Sequence, residues 1–543
     1  MPDLKNRALN YKGRDMKVLI TDKCNDMARE IVAQVAEVDV LPTMTEDEYV
    51  ENIGKYDALI IRSASKITKR IIDAADNLKI IGRAGVGVDN IDLDAATQKG
   101  IIVVNSPDGN TNAAAEHTIA MMLSMARNIP NACQSTKEGK WDRAKYTGVE
   151  VFGKTLGIIG LGKIGSHVAK VAIALGMKVV VYDPYTTENT VKAMGGEYVS
   201  DLKDFWGVCD FITVHVPKTK ETVDLINKNT IAKMKDGVRL INCARGGIIN
   251  ENDLREALDK GKVAGAAIDV YCNEPDIQSC PLFGCEKNLL MTPHLGASTS
   301  EAQINVALDV ANQIKEVLSG GSATSAVNIP SLKPAILEPV KEYMLLAQNV
   351  GEFADQMANG NLKSIELTFK GNLASLDVSP LETSILKGIF SSSMQGVNFV
   401  NAPIIAKNKG IEVSTVKSAT SGDYKGSITV KLTTDKEQVT VSGALISDDI
   451  KRIVKVNNFN TSIEPEEHML LVPHENKPCM IAKVATVIGD AGININHMSV
   501  SPESQKHLSM MIISTGSDVE NDVLNEINKI EGVVEAKYVH LGK

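Results

Sequence analysis

Arg245, Glu274 and His294 supply a cation, a carboxylate and an imidazole, each just beyond an apolar run in the middle of a 543-residue chain. Together they suit proton and hydride chemistry at an alcohol carbon that bears a carboxylate. An imidazole takes up a hydroxyl proton near neutral pH. A carboxylate fixes its tautomer and stabilises its charged form, and a guanidinium holds the carboxylate and carbonyl of a 2-oxo acid together. Spacing alone does not single out His294, because His117, His167 and His215 lie in the same region and a lone histidine is more often a packing residue.

The hydride partner has its own motif. Gly160-Leu161-Gly162-Lys163-Ile164-Gly165 ends an apolar run and opens a segment with Ile164, Val168, Val171 and Leu175 at helical spacing. That pattern predicts strand, tight turn and helix: the first glycine makes the turn, the second admits a pyrophosphate, and the third packs helix on strand. The helix N-terminus then faces the phosphates. Residues 178–182 form the next predicted strand and end in Asp183. A carboxylate there accepts hydrogen bonds from an adenosine ribose and repels a 2′-phosphate, so the expected cofactor is NAD rather than NADP. Further strands over 211–214, 238–242 and 264–269 direct their polar ends to the same cleft. The expected cofactor-binding residues are Gly160, Gly162, Lys163, Ile164, Gly165, Asp183, Val216, Pro217, Cys243, Ala244, Arg245, Asp269, His294, Gly296 and Ala297.

Positioning these groups takes alternating strands and helices. Strands over 16–21, 58–62, 78–82 and 101–105, separated by helical patterns, predict a first, smaller parallel α/β sheet. Ligands in such sheets sit beyond the carboxyl ends of the strands, where Arg62-Ser63 and Arg83 with Gly85-Val86-Gly87 offer cations and accessible amides to an anionic substrate. A crossover at 110–114 leads to a long helix over 113–128, and a second long helix follows over 298–318.

The chain is too long for one hydrophobic core, and about four domains are expected. A net charge of −9, with 43% hydrophobic and 23% charged residues, argues against nucleic acid and membrane surfaces as partners. The eight cysteines form no C-x-x-C pair, so reduced thiols and no metal site are expected. Residues 1–15 lack an apolar leader-like run, and no stretch is long enough to span a bilayer, so a cytosolic location is expected. A Ser-, Ala- and Pro-containing stretch over 322–334 marks a boundary. Beyond it come a helix over 343–357 and β patterns within 335–461, a block without histidine. The last eighty residues read βαββαβ, the ferredoxin-like order.

Three stretches resemble the D-isomer-specific 2-hydroxyacid dehydrogenases: 160–165 with Asp183, 234–247, and 273–275 leading to 292–297. The resemblance implies a Rossmann-type NAD-binding domain (111–298) inserted in a discontinuous flavodoxin-like substrate domain (16–110 with 299–330). It further implies an α+β intervening domain (331–463) and an ACT domain (466–543). In that family Arg245 would bind the substrate carboxylate, Glu274 would pair with His294, His294 would be the acid/base, and Asp269 would lie on the nicotinamide side. Arg62, Ser63, Arg83, Gly85, Val86 and Gly87 would bind substrate, and Arg143, with Lys145 beside it, would suit a phosphate, as in members that oxidise 3-phosphoglycerate to 3-phosphohydroxypyruvate at the start of L-serine synthesis. His474, Asn476 and Asn494 match effector residues for L-serine, but Cys479 stands where a glycine is usual. A dimer or tetramer is expected. The alternatives are a glyoxylate or hydroxypyruvate reductase and an NAD-sensing interaction protein.

Overall fold

The structure, a computed structural model, describes residues 16–329, 334–420, 423–447, 450–502 and 507–542. Residues 1–15 and part of the 322–334 boundary lie outside them. The first sheet holds β1 (Lys17–Ile20), β2 (Glu37–Val40), β3 (Ala58–Ile61), β4 (Ile80–Arg83) and β5 (Ile102–Asn105) in the order β2-β1-β3-β4-β5. All its pairs are parallel. Strand β3 is buried along its whole length, because helices cover both faces of such a sheet. Strand β2 was not foreseen from the sequence. Its residues Glu-Val-Asp-Val sit at the sheet edge, where no apolar run is needed.

Helix Ser300–Leu318 returns to this first sheet. Gly82 in β4 makes room for it: a Cβ there would lie 2.3 Å from Val310 Cγ1 and 2.8 Å from Ile314 Cδ1.

The second sheet comprises β6 (Thr155–Ile159), β7 (Lys178–Tyr182), β8 (Glu197–Tyr198), β9 (Phe211–Val214), β10 (Val238–Asn242), β11 (Val263–Ile268) and β12 (Leu289–Met291). Its order is β12-β11-β10-β9-β6-β7-β8, again all parallel. Strand order reverses between β6 and β9, which makes the cleft above them the place for a ligand. Strand β12 is too short to show a period in the sequence, yet it aims His294.

The third sheet runs β14 (Glu412–Ser418), β13 (Leu362–Gly371), β15 (Gly426–Thr434), β16 (Gln438–Leu445), β17 (Lys451–Val456) and β18 (Phe459–Ile463). Helices Met344–Met357 and Ser379–Ser391 pack on each other and bury Leu346, Val350, Leu381, Ile385 and Ile389. The β patterns expected within this block are present as β13, β15 and β16, and helix Ser379–Ser391 is an element that the sequence reading does not single out. Residues 379–391 carry their apolar side chains at helical spacing behind a proline in the first turn.

The fourth sheet, β20 (Ile495–Pro502), β21 (Leu508–Thr515), β19 (His468–Glu475) and β22 (Lys537–His540), is antiparallel throughout. Its two faces divide cleanly. Leu470, Val472, Met511 and Ile513 meet helices Met480–Asp490 and Asn521–Asn528, while Met469, Leu471, Met510 and Ile512 join the core of the third sheet. Among the described residues no helix is long and apolar enough to cross a membrane.

Candidate active site

The glycine turn after β6 fits a dinucleotide. Gly160 adopts φ +94°, and a Cβ there would lie 2.7 Å from the His215 carbonyl oxygen. A Cβ at Gly165 would lie 2.1 Å from the Gly160 carbonyl oxygen, so any side chain would lift helix Lys163–Ala174 off the strand. At Gly162 a Cβ would meet nothing within 4 Å, which leaves the backbone open on the side a pyrophosphate would approach. Asp183, beyond β7, accepts hydrogen bonds from the amides of Leu161 (2.6 Å) and Tyr185 (2.7 Å), so its carboxylate is fixed at the rim of the turn. Replacing Asp183 with serine is expected to raise the NADPH-to-NADH ratio of kcat/KM by about tenfold or more, because it removes the charge facing a 2′-phosphate. Steady-state assays with both coenzymes check this.

Lys163 is ion-paired with Asp108, a contact between the two sheets' loops. Val216 packs its Cγ1 where a Cβ at Gly160 would sit, and Pro217 is exposed beside it. Burial pushes the Cys243 thiol up to about 12 and the His215 imidazole down to about 4, so neither is charged near neutral pH.

Asp269 fixes the loop that carries His294. Its carbonyl accepts from the His294 amide (2.9 Å), and its two carboxylate oxygens accept from the amides of Leu295 (2.8 Å) and Gly296 (2.8 Å). Asp269 is 0% exposed. His117 Nε2 lies 3.3 Å from Asp269 Oδ1, so the carboxylate expected on the nicotinamide side also ties this loop to helix Thr111–Ala126. These bonds hold His294 at φ +55°, a left-handed conformation that costs about 1–3 kcal/mol unless the surroundings enforce it.

His294 Nδ1 lies 2.7 Å from Glu274 Oε2, while Glu274 Oε1 accepts from the Tyr271 amide at 2.8 Å. Burial raises the Glu274 carboxyl, but the bonds from His294 and Tyr271 outweigh it and hold the group below the usual carboxylate range. An ionised carboxylate only accepts, so Nδ1 carries the hydrogen and Nε2 is left as the base. The His294 side chain is 46% exposed and open to a ligand.

Three arginines converge on the glycine loop of the first sheet. Arg245, beyond β10, donates from Nη1 to the Ala244 carbonyl (2.7 Å) and from Nε to Asp89 (3.1 Å). Asn242 braces the turn by donating to the Arg245 carbonyl and accepting from the Ala244 amide. The end of the guanidinium lies against Gly87, where a Cβ would be 2.0 Å from Nη2, and Arg83 approaches Gly85 in the same way, with a Cβ there 1.5 Å from its Nη1. Burial, then the fields of Arg245 and Arg62, pull Arg83 down to about 10. Its Nε is buried without a hydrogen-bond partner. Clustered cations with an unsatisfied donor suit an anion. Asp22 anchors the Arg62 loop by accepting from the amides of Arg62 and Ser65 (2.9 Å each), and the Asn90 side chain donates to the Arg62 carbonyl. Asp22, Asp89, Asn90 and His117 were not singled out by chemistry, although Asp89 and Asn90 directly follow the glycine loop.

Other expected residues lie apart. Arg143 is exposed in the turn Arg143–Tyr146, and among the described residues no hydrogen bond or ion pair joins it to the arginine cluster. His474 is buried and bonds Ser509 at one end of β21, whereas Asn494 stands beside Gly516 at the other end. Ser509 and Thr515, which mark these ends in the register, are roughly 20 Å apart at strand spacing. Asn476 is exposed near His474.

Residues 119–296 match the NAD binding domain of the D-isomer specific 2-hydroxyacid dehydrogenases, 339–457 the D-3-phosphoglycerate dehydrogenase intervening domain, and 468–532 the ACT domain. The chain is 45% identical over 527 residues to a D-3-phosphoglycerate dehydrogenase from Synechocystis, covering 97% of this chain and 95% of that one. It is 42% identical to the enzyme of that name from Methanocaldococcus jannaschii, covering 97% of this chain and all of that one (100%). Among solved structures it is similar to a D-lactate dehydrogenase from Aquifex aeolicus in complex with NAD and lactic acid (TM-score 0.51, 30% identity, 56% of this chain and 96% of that one).

Proposed function

The chain belongs to the D-3-phosphoglycerate dehydrogenase family of NAD-dependent 2-hydroxyacid dehydrogenases, and we propose that it oxidises 3-phospho-D-glycerate to 3-phosphohydroxypyruvate at the start of L-serine synthesis. The observation that carries this reading is the His294–Glu274 pair at 2.7 Å, set at the same cleft edge as Arg245 by the neighbouring strands β10, β11 and β12. His294 Nε2 takes the C2 hydroxyl proton, and the Glu274 carboxylate stabilises the imidazolium that forms. Arg245 holds the substrate carboxylate and the C2 oxygen. Arg62, Arg83 and the Gly85–Gly87 amides supply further positive field for a substrate that carries both a carboxylate and a phosphate. NAD, when bound, accepts the C2 hydride.

Absorbance of NADH during reduction of 3-phosphohydroxypyruvate, glyoxylate and hydroxypyruvate tests the reading. Fast turnover of the phosphorylated substrate supports it. Preference for glyoxylate would reassign the substrate, and no turnover at all would favour an NAD-sensing interaction protein.

The ACT module supports regulation by L-serine through His474, Asn476 and Asn494. Because His474 and Asn494 stand at opposite ends of one sheet, a complete effector site takes two copies of the chain. Pairing across edge strand β20 in antiparallel sense brings Asn494 of one copy to the His474 end of the other, which supports a homo-oligomer. Cys479 occupies φ +69° at the start of helix Met480–Asp490, a conformation that glycine adopts at lower cost. Cys479→Gly is therefore expected to lower the serine concentration for half-inhibition by about threefold to tenfold, since it removes both strain and side-chain bulk from the effector loop. Serine titration of wild type and variant checks it. Eight free thiols suit the cytosol as the place of action.

A further inference from the structure

One end of the fourth sheet carries a polar cluster that neither the catalytic cleft nor the serine residues use. His468 opens β19 directly across from His540 at the end of β22, so both imidazoles share a face, with ring centroids 5.3 Å apart. Asp518, in the loop before helix Asn521–Asn528, brings Oδ1 to 3.1 Å from His468 Nδ1. Tyr538, two residues before His540 on the same face, donates its hydroxyl to Asp518 at 2.7 Å and lies 2.7 Å from His468 Nδ1. One ligand atom from each of His468, Asp518 and His540 falls within 4.8 Å of the others.

We propose that His468, Asp518 and His540 form a binding site for Zn²⁺ or a similar borderline divalent cation. Two imidazoles and one carboxylate, with a fourth position left for water, are a ligand set that zinc favours, whereas Mg²⁺ and Ca²⁺ prefer all-oxygen shells. Tyr538 fills the outer role, orienting the carboxylate by its hydroxyl. Closing the ligand atoms from their present spread onto one ion takes only side-chain rotation, because Asp518 is 72% exposed and His540 is also on the surface.

The position gives the ion a consequence. Gln356 of helix Met344–Met357 accepts from the His540 amide (2.9 Å) and donates to its carbonyl (2.6 Å). A metal at this site pins the last strand to β19 and to the Asp518 loop where the ACT sheet meets the intervening helix. The other histidine cluster, His117 with Cys243 and Asp269, belongs to the catalytic cleft, and its carboxylate oxygens are already engaged by amides.

The test uses the full chain, stripped with a chelator and titrated with Zn²⁺ against a chromophoric competitor, with Mg²⁺ as the control. One equivalent of zinc is expected per chain, with a rise in the thermal unfolding midpoint. Asp518→Asn, an exposed substitution that leaves packing intact, and His540→Ala should each weaken binding at least about tenfold. Both should remove the thermal shift while keeping zinc-free turnover. Substitution with Co²⁺ should give visible d–d bands without a sulfur-to-metal band. Failure of the wild type to retain zinc, equal retention by both variants, or a sulfur-to-cobalt band that places the ion on a thiol would overturn the proposal.

Discussion

His294→Asn lowers kcat for 3-phosphohydroxypyruvate reduction by about 10³-fold and leaves the affinity for NADH within about twofold. Asparagine is the informative replacement because position 294 sits at φ +55°, a region asparagine tolerates better than most residues. The amide bonds that tie Asp269 to residues 294–296 are kept, so the loop retains its shape while the base is lost. Affinity for the coenzyme survives because the glycine turn and Asp183 stand on other strands, β6 and β7. Single-turnover rates and NADH fluorescence titration separate the two quantities. A variant with near-normal kcat would remove His294 from the proton transfer, and one that fails to bind NADH would show a loop that has moved. Glu274→Gln adds a check through pH. The folded Glu274 carboxyl lies below its ordinary range, so its stabilising bonds are complete above that range and are lost as pH falls through the folded value. The glutamine variant should lose that part of the acid dependence of stability, and its kcat should drop by about tenfold to a hundredfold because the imidazolium loses its counter-charge.

The sequence made some of these groups readable and hid others for physical reasons. The glycine turn was legible because each glycine answers a separate contact: a positive φ at Gly160, open space at Gly162, and a backbone approach at Gly165. Parallel strands such as Ala58–Ile61 announce themselves as unbroken apolar runs. The edge strand Glu37–Val40 and the three-residue Leu289–Met291 do not, since one is half solvated and the other is shorter than any period. Asp22 and Asp269 are acidic residues whose role is to accept backbone amides from loops far along the chain, and such pairings leave no trace in local spacing. The resemblance to an ACT domain nominates His474 and Asn494, but only strand register shows that they stand at opposite ends of a sheet.

Arg245→Lys separates geometry from charge in the substrate site. The expected outcome is a loss of about 10²–10³-fold in kcat/KM for the phosphorylated substrate, carried by both constants, with the coenzyme affinity held. The arginine fork donates in fixed directions, to the Ala244 carbonyl and to Asp89, and leaves Nη2 against Gly87 where the loop opens to substrate. A lysine retains the charge and loses the fork. Two charge-assisted hydrogen bonds to substrate, at about 1.5–3 kcal/mol each, are together worth about 10²–10⁴-fold when each tenfold is about 1.4 kcal/mol, and the charge that lysine keeps holds the loss to the lower part of that range. If positive field alone recruited the anion, Arg62 and Arg83 would compensate and the lysine variant would lose less than about fivefold. Gly87→Ala attacks the same point from the other side. Its Cβ would lie 2.0 Å from Arg245 Nη2, so the guanidinium must move although no charge has changed. A rise in KM with Gly87→Ala that parallels Arg245→Lys would establish that the direction of the fork, set by a missing side chain on the facing sheet, is what the substrate reads.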